Sequence, residues 1–265
     1  SHPTQEEAQM REAVIVSTAR TGLAKSHRGG FNNTGGVAMA GHAIEHSIKR
    51  AGIDPAEVEE VVRGCGTPQG TTGNNIGRLA ALKAGCPVTT TGVTVSRHCS
   101  SGLNAIATAA GRIIVDGVPI VVGAGVESIS HSMTGSGFTH QVDKPLLEQY
   151  PGLWMPMIET ADIVAERYKV SRESQDEYSL ISQQRTAAAQ EGGLYKDEIV
   201  PMDVQMIVKD KETGETSTID YTVTKDECNR PTTTLEGLAG LKPIRGEDQY
   251  ITAGNASQLS DGAAS

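Results

Sequence analysis

Short runs of β-branched residues alternate with alanine-rich amphipathic stretches in the first half of the chain. Runs rich in Val, Ile and Thr predict buried strands, and apolar residues spaced three and four apart predict helices. The predicted strands are 13–18, 61–62, 92–95 and 119–122, and the predicted helices are 37–51, 74–84 and 103–115. This alternation of strand and helix predicts an α/β protein built from packed layers.

Two local signals mark helix ends in this region. Gly52 directly follows the first predicted helix, where a glycine C-cap is favoured. Asp54 precedes Pro55, and these residue types are typical of an N-cap and the first turn after it. Both positions therefore predict where the regular elements stop and start.

The pattern changes after about residue 131, where polar and irregular sequence replaces the alternation. Helices are predicted over 160–168 and 171–191. An edge strand is predicted over 198–201, because its proline cannot donate a hydrogen bond to a ladder. Residues 209–217 predict a charged turn.

These changes in the pattern of apolar and polar residues predict four segments. We expect a tail or tag remnant at 1–11, an N-terminal α/β domain at 12–130, an inserted loop domain at 131–246, and a return to the first domain at 247–265. The return is predicted because the sequence there is again small, apolar and rich in glycine. The 265 residues are enough to bury a sizeable core.

Composition and charge exclude several classes of function. The net charge of −9 disfavours nucleic acid as a partner. No apolar run is long enough to predict a membrane span. The four cysteines, at 65, 86, 99 and 228, lack the spacing of a zinc site or a disulfide framework, so no metal is predicted. Scattered cysteines of this kind fit a reducing compartment, and we expect a cytoplasmic protein.

Cys99 is the main candidate for chemistry. It lies where a predicted strand ends and a predicted helix begins, in the run Ser96-Arg97-His98-Cys99-Ser100-Ser101-Gly102. Free N–H groups and the positive end of the helix dipole converge at such a junction and favour a thiolate. The alternative is an ordinary buried cysteine, since free cysteine is among the most buried residue types.

The flanking sequence resembles the thiolase family. The resemblance rests on the Cys-Ser-Ser-Gly run and on the glycine-rich strand end before Glu127-Ser128, and it extends over nearly the whole chain from about Glu12. Later segments that match are Met155-Pro156-Met157, Thr252-Ala253-Gly254-Asn255-Ala256-Ser257 and Asp261-Gly262-Ala263-Ala264. It implies a thiolase-like layered α/β/α core with an inserted loop domain, a homodimer or homotetramer, and a nucleophilic role for Cys99.

The resemblance also implies coenzyme A or an acyl-CoA as substrate, with no covalently bound cofactor. The implied contacts are Arg230 near the adenine end, Ser257 on the pantetheine arm, and Ala253 and Met157 along the pantetheine tunnel. The alternatives are a solvated arginine, a turn-capping hydroxyl and core packing. Gly237 and Pro156 stand where the family often has serine and histidine, which argues against a biosynthetic short-chain enzyme.

Three motifs of the family's second half do not occur in these 265 residues, among them those carrying its activating histidine and its second cysteine. We therefore expect that this chain alone does not turn over substrate. Alternation along an extended segment turns His98 away from Cys99 and predicts a packing or lining role. Glu127 is interpreted as a structural residue near the sheet edge, with a general acid as the alternative. Arg20 and Arg78 are expected to support the sheet edge or a subunit contact.

Two other functions remain open on the sequence alone. One is a ketosynthase-type condensing enzyme, which would use an acyl carrier protein in place of free coenzyme A. The other is a binding or assembly module without catalysis. Turnover and the identity of the carrier distinguish the three.

Overall fold

A computed structural model describes residues 11–132 and 142–265. The described residues fall into two compact units. The first comprises 11–132, Lys196–Glu227 and Leu259–Ser265, and the second comprises 142–195 and Cys228–Gln258. Apart from Arg11, the predicted tail lies outside the described residues.

The first unit contains a five-stranded mixed sheet with helices on both faces and a separate two-stranded sheet. Its elements in chain order are β1 (Ala24–Lys25), α1 (Gly36–Ala51), β2 (Glu60–Gly64), α2 (Ile76–Lys83), β3 (Thr91–Val95), α3 (Ser101–Ile114), β4 (Val121–Ser128), α4 (Ile129–Ser132), β5 (Met202–Lys209), β6 (Thr216–Val223) and β7 (Ser260–Ala264). The strand order of the larger sheet is β1-β7-β4-β2-β3, and β5 and β6 form the smaller one. Strands β4, β2 and β3 are parallel, and β7 is antiparallel to β4.

The core lies on both sides of β2. Val61 packs in a cluster with α1 and α2, including Met39 and Ile44, while Val62 packs with Ala105 on the opposite face, under α3. Neighbouring side chains of a strand point to opposite faces, so one strand serves both layers. The α/β/α layering expected from the sequence is confirmed.

Most predicted elements of this unit are confirmed within a few residues. Gly52 caps α1 in the left-handed conformation, with φ of 70°. The side chain of Asp54 accepts a hydrogen bond from the Ala56 N–H and begins a short 3-10 turn at Pro55. The charged turn predicted over 209–217 joins β5 to β6.

Two strand predictions are wrong. Residues 13–18 belong to no strand, and Val14, Ile15 and Val16 are each at least 70% exposed. Backbone pairing with β7 begins only at Ala19, whose N–H and C=O bond with Ser265. A β-branched run forms a strand only where a partner strand lies alongside it.

The second wrong strand is 198–201. Only Ile199 makes an isolated bridge there, to Arg20, and the strand proper is β5, which begins at Met202. The structure also differs from the predicted loop domain, because residues 196–227 belong to the first unit. Val223 is fully buried in the core of that unit, with Met202 and Val204 packed against it, which explains the difference. The return to the first unit begins at Leu259 and not at 247, since residues up to Gln258 belong to the second unit.

The second unit consists of helices α5 (Lys144–Gln149), α6 (Met157–Tyr168), α7 (Arg172–Glu191) and α8 (Leu235–Ala239). Two buried carboxylates organise it. Asp162 of α6 accepts hydrogen bonds from the backbone N–H groups of Tyr250 and Ile251 at 3.0 and 3.1 Å. Asp176 of α7 accepts from Arg172 at 2.8 Å and from Asn255 at 3.1 Å. No described helix is both long and apolar enough to cross a membrane.

Candidate active site

Cys99 lies in the tight turn that joins β3 to α3. Five hydrogen bonds close this turn within itself, among them one from the Arg97 N–H to the Ser101 hydroxyl at 2.8 Å and one from the Ser100 hydroxyl to the Arg97 carbonyl at 2.9 Å. The Ser100 N–H donates to the Arg97 carbonyl at 3.1 Å, and the Ser101 N–H and hydroxyl both donate to the His98 carbonyl, at 3.0 and 2.6 Å. Cys99 is exposed and precedes the first residue of α3 by two positions. A thiol placed in this way is open to an incoming substrate, as expected for a nucleophile.

His98 adopts a left-handed backbone conformation, with φ of 47°. This conformation is not that of an extended segment, so the alternation that predicts a side chain turned away from Cys99 does not apply to His98. A left-handed conformation costs a non-glycine residue about 1 kcal/mol or more. It persists only where the surroundings fix it, and such residues cluster at functional sites.

The first turn of α3 rests directly on the end of β2. A methyl group on Gly64 would lie 2.3 Å from the carbonyl carbon and oxygen of Ser101. A methyl group on Gly66 would lie 3.3 Å from the His98 carbonyl oxygen. These two glycines therefore let the backbone of β2 and the following loop approach the Cys99 turn closely.

Glu127, near the end of β4, holds this loop from the other side. Its carboxylate accepts hydrogen bonds from the backbone N–H groups of Gly66 and Thr67, each at 2.9 Å. It also accepts from the Thr67 hydroxyl and from the Cys65 thiol, the latter at 3.5 Å. No Lys or Arg in the described part of the chain forms an ion pair with it. These contacts agree with the structural interpretation of Glu127.

Cys65 is the cysteine beside this carboxylate, and it is not a candidate nucleophile. Burial raises the pKa of its thiol to about 12, and the charge of Glu127 adds to the effect. Cys86 is also buried, and burial raises the pKa of its thiol. Cys228 is half-buried. Among the four cysteines, the local structure therefore favours Cys99 as the reactive one.

The four residues predicted to contact coenzyme A all belong to the second unit. Arg230, Ala253, Ser257 and Met157 are exposed, and Met157 begins α6. The backbone of Arg230 is fixed, since its N–H donates to the Gln183 side chain at 2.7 Å. They remain predictions as ligand contacts.

The two arginines expected at the sheet edge make structural contacts. Arg20 forms a bidentate pair with Asp226, at 2.7 and 2.9 Å. Arg78 donates to the carbonyl groups of Thr90 and Val88. Within the described residues, no group of three or more His, Cys, Asp or Glu side chains could hold a metal ion.

Sequence reasoning missed the role of Gly64, Gly66 and Thr67. The signal that could have found them is their position: all three stand at the carboxyl end of β2, beside the carboxyl end of β4. Ligand-binding and catalytic groups of open parallel sheets gather at that edge. The same edge carries the end of β3 and therefore Cys99.

Comparison with known proteins identifies the family of the chain. Residues 13–265 match the family model described as the N-terminal domain of thiolase. The chain is 38% identical over 257 residues to 3-ketoacyl-CoA thiolase of Bacillus subtilis, covering 96% of this chain and 65% of that protein. It is 39% identical over 252 residues to peroxisomal 3-ketoacyl-CoA thiolase 1 of Arabidopsis thaliana, covering 95% and 56%.

Among solved structures, the acetyl-CoA acetyltransferase of Bacillus anthracis superposes with a TM-score of 0.78 at 36% identity, covering 96% of this chain and 64% of that one. The chain thus spans less than two thirds of the length of these relatives. The matched family model covers nearly all of the described residues, including both ends of the Cys99 turn. The chain belongs to the thiolase family and corresponds to its N-terminal domain.

Proposed function

We propose that this chain supplies the nucleophilic half of an acyl-CoA acyltransferase of the thiolase type. The observation that carries the proposal is the exposed Cys99 in a fixed turn at the start of α3. The names of the relatives, 3-ketoacyl-CoA thiolase and acetyl-CoA acetyltransferase, support the class of reaction. The substrates we propose are acyl-CoA thioesters, used for thiolysis or Claisen condensation.

In the first step, the Cys99 thiolate attacks the thioester carbonyl of the acyl donor and forms a new carbon–sulfur bond. The carbon–sulfur bond to the leaving group then breaks: for an acyl-CoA donor, the coenzyme A thiolate departs and takes up a proton. The Cys99 N–H is our candidate donor to the oxyanion, since the next two N–H groups are engaged within the turn. One such donor typically contributes about 3 kcal/mol to lowering the barrier.

In the second step, an acceptor removes the acyl group from Cys99, which gives ping-pong kinetics. Coenzyme A is the acceptor in thiolysis, and the carbanion of acetyl-CoA is the acceptor in condensation. Both need a base. The resemblance assigns removal of a proton from the attacking acetyl group to a second cysteine and activation of the nucleophile to a histidine, and the motifs that carry these two residues do not occur in these 265 residues. We therefore propose that the chain by itself is acylated but does not complete a cycle.

Mass spectrometry after incubation with excess acetyl-CoA tests the proposal. We expect one acetyl group on the peptide that contains Cys99, none on Cys99→Ser, and an unchanged result for Cys228→Ser as the matched control. An unmodified Cys99 that iodoacetamide still alkylates would refute the acyl-carrying role. Clear cleavage of acetoacetyl-CoA by this chain alone would refute the assignment of the base to residues outside it.

A further inference from the structure

The left-handed backbone of His98 needs an external support, because the hydrogen bonds within the turn all come from its own residues. A residue from outside the turn that lies beside the His98 peptide is Gly66. Its backbone lies so close that a methyl group there would contact both the carbonyl carbon and the carbonyl oxygen of His98, at 3.4 and 3.3 Å. The loop at Gly66 therefore lies next to the peptide between His98 and Cys99, and a larger residue there would press on it.

Gly66 is in turn fixed by Glu127. Both carboxylate oxygens are used, one by the Gly66 N–H and the other by the N–H and hydroxyl of Thr67. A carboxylate that accepts several hydrogen bonds from consecutive backbone groups fixes their direction more firmly than a neutral acceptor does. Because Glu127 extends from the same strand end that pairs with β2, the clamp is anchored in the sheet.

We infer that Glu127 is a positioning residue for Cys99, acting through Gly66 and the His98 peptide. The inference rests on the proposed function of Cys99 and extends it to a residue that does not itself react. The arrangement holds the thiol at the start of α3, in the orientation needed for attack on a thioester. A displacement of about 1 Å from productive geometry can lower a rate by about a hundredfold.

Glu127→Gln tests the inference with little change in size. Glutamine presents an NH2 group where the carboxylate has an acceptor oxygen, so the N–H of Gly66 or of Thr67 faces another donor. We expect acyl transfer to Cys99 at saturating acetyl-CoA to slow about tenfold or more. The half-saturating concentration should change less than about twofold, because the predicted coenzyme A contacts lie in the second unit.

The NMR signals of His98 give an independent readout. Its 13Cα and 13Cβ chemical shifts report the left-handed backbone, and we expect them to move in Glu127→Gln. Asp261→Asn is the matched control. Asp261 is a buried carboxylate on the adjacent strand β7, and it accepts from the N–H of Ser130 at 3.0 Å. Its loss should destabilise the protein and leave the His98 shifts and the Cys99 rate unchanged.

Four outcomes decide the matter. Altered His98 shifts and slowed acyl transfer in Glu127→Gln alone support the inference, and wild-type behaviour of Glu127→Gln overturns it. Equal slowing in Asp261→Asn also overturns it, since general destabilisation then explains the effect. If Glu127→Gln does not fold, Thr67→Val, which removes the hydroxyl that bonds with Glu127 and with Ser132, should show the same changes to a smaller degree, and an unchanged Thr67→Val overturns the inference.

The two proposals fail separately. If wild-type Cys99 takes up no acetyl group, the proposed function is refuted. The positioning effect is then measured by the rate of alkylation with iodoacetamide together with the His98 shifts. An alkylation rate that is the same in wild type and Glu127→Gln, with unchanged shifts, overturns the positioning role regardless of the enzymatic result.

Discussion

Gly64→Ala should separate β2 from the first turn of α3. The added methyl group would lie 2.3 Å from the carbonyl carbon of Ser101, whereas ordinary contact begins at 3.4 Å, so one of the two backbones must move by about 1 Å. Neither yields easily, since β2 is paired with a strand on each side and Ser101 is 3% exposed. Overpacking of this kind costs about 1–3 kcal/mol, and we expect the upper part of that range because both partners are backbone.

Urea denaturation and the rate of Cys99 alkylation measure the two consequences of this change. We expect the free energy of unfolding to fall by about 2–3 kcal/mol, and we expect the rate at which Cys99 is alkylated to change as well. Gly111→Ala, in the same helix, is the control, because a methyl group there meets no atom within 4 Å. It should be neutral or stabilise by up to about 1 kcal/mol. Wild-type stability and reactivity in Gly64→Ala would refute the close contact between β2 and α3.

Three further variants test other parts of the structure. Burial and the charge of Glu127 raise the pKa of the Cys65 thiol from 9.0 to about 12, so stability that is present below pH 9 is lost as the pH rises towards about 12. From pH 9 to about pH 10, the free energy of unfolding of wild type should fall by about 1 kcal/mol relative to that of Cys65→Ala in urea titrations. Parallel pH profiles of the two proteins would contradict the raised pKa. Arg20→Lys should cost about 1–3 kcal/mol by urea denaturation, because lysine cannot reproduce the bidentate pair with Asp226; an unchanged midpoint would show that the pair contributes little. Asp162→Asn should lower the thermal midpoint of the second unit by leaving Arg245 without its buried carboxylate, and a midpoint equal to that of wild type would contradict this role.

The layered fold could be predicted because each core element carries its own periodic signal. Helix α1 repeats small and apolar residues every three or four positions and ends at Gly52, and the structure confirms both features. The hairpin of β5 and β6 was not predicted, although the sequence of β5 carries a pattern that indicates a strand. Apolar and polar side chains alternate over residues 202–206, and burial alternates over the whole of 202–209, with Ile207 an apolar residue at an exposed position. That pattern is typical of a half-buried strand.

Segment 13–18 shows the limit of such patterns. Its composition is as strand-like as that of β2, yet β2 is paired on both sides and the segment has no partner strand among the described residues. Pairing depends on residues far away in the chain. Ala19, which directly follows the segment, pairs with Ser265. Composition alone therefore cannot decide between a strand and an exposed segment outside any strand.

The nucleophile of the candidate site could be predicted from the sequence, but the residues that position it could not. Cys99 is marked by its neighbours in sequence, because the end of β3 and the start of α3 are adjacent along the chain. Glu127 and Gly66 are 61 residues apart and meet only because the crossover places β4 beside β2. The left-handed conformation of His98 was not predicted either, because positive φ is uncommon for any non-glycine residue, although histidine adopts it more often than most. The features that fix the nucleophile are thus properties of the sheet edge, where three strand ends converge, and a change at any one of them should be felt at Cys99.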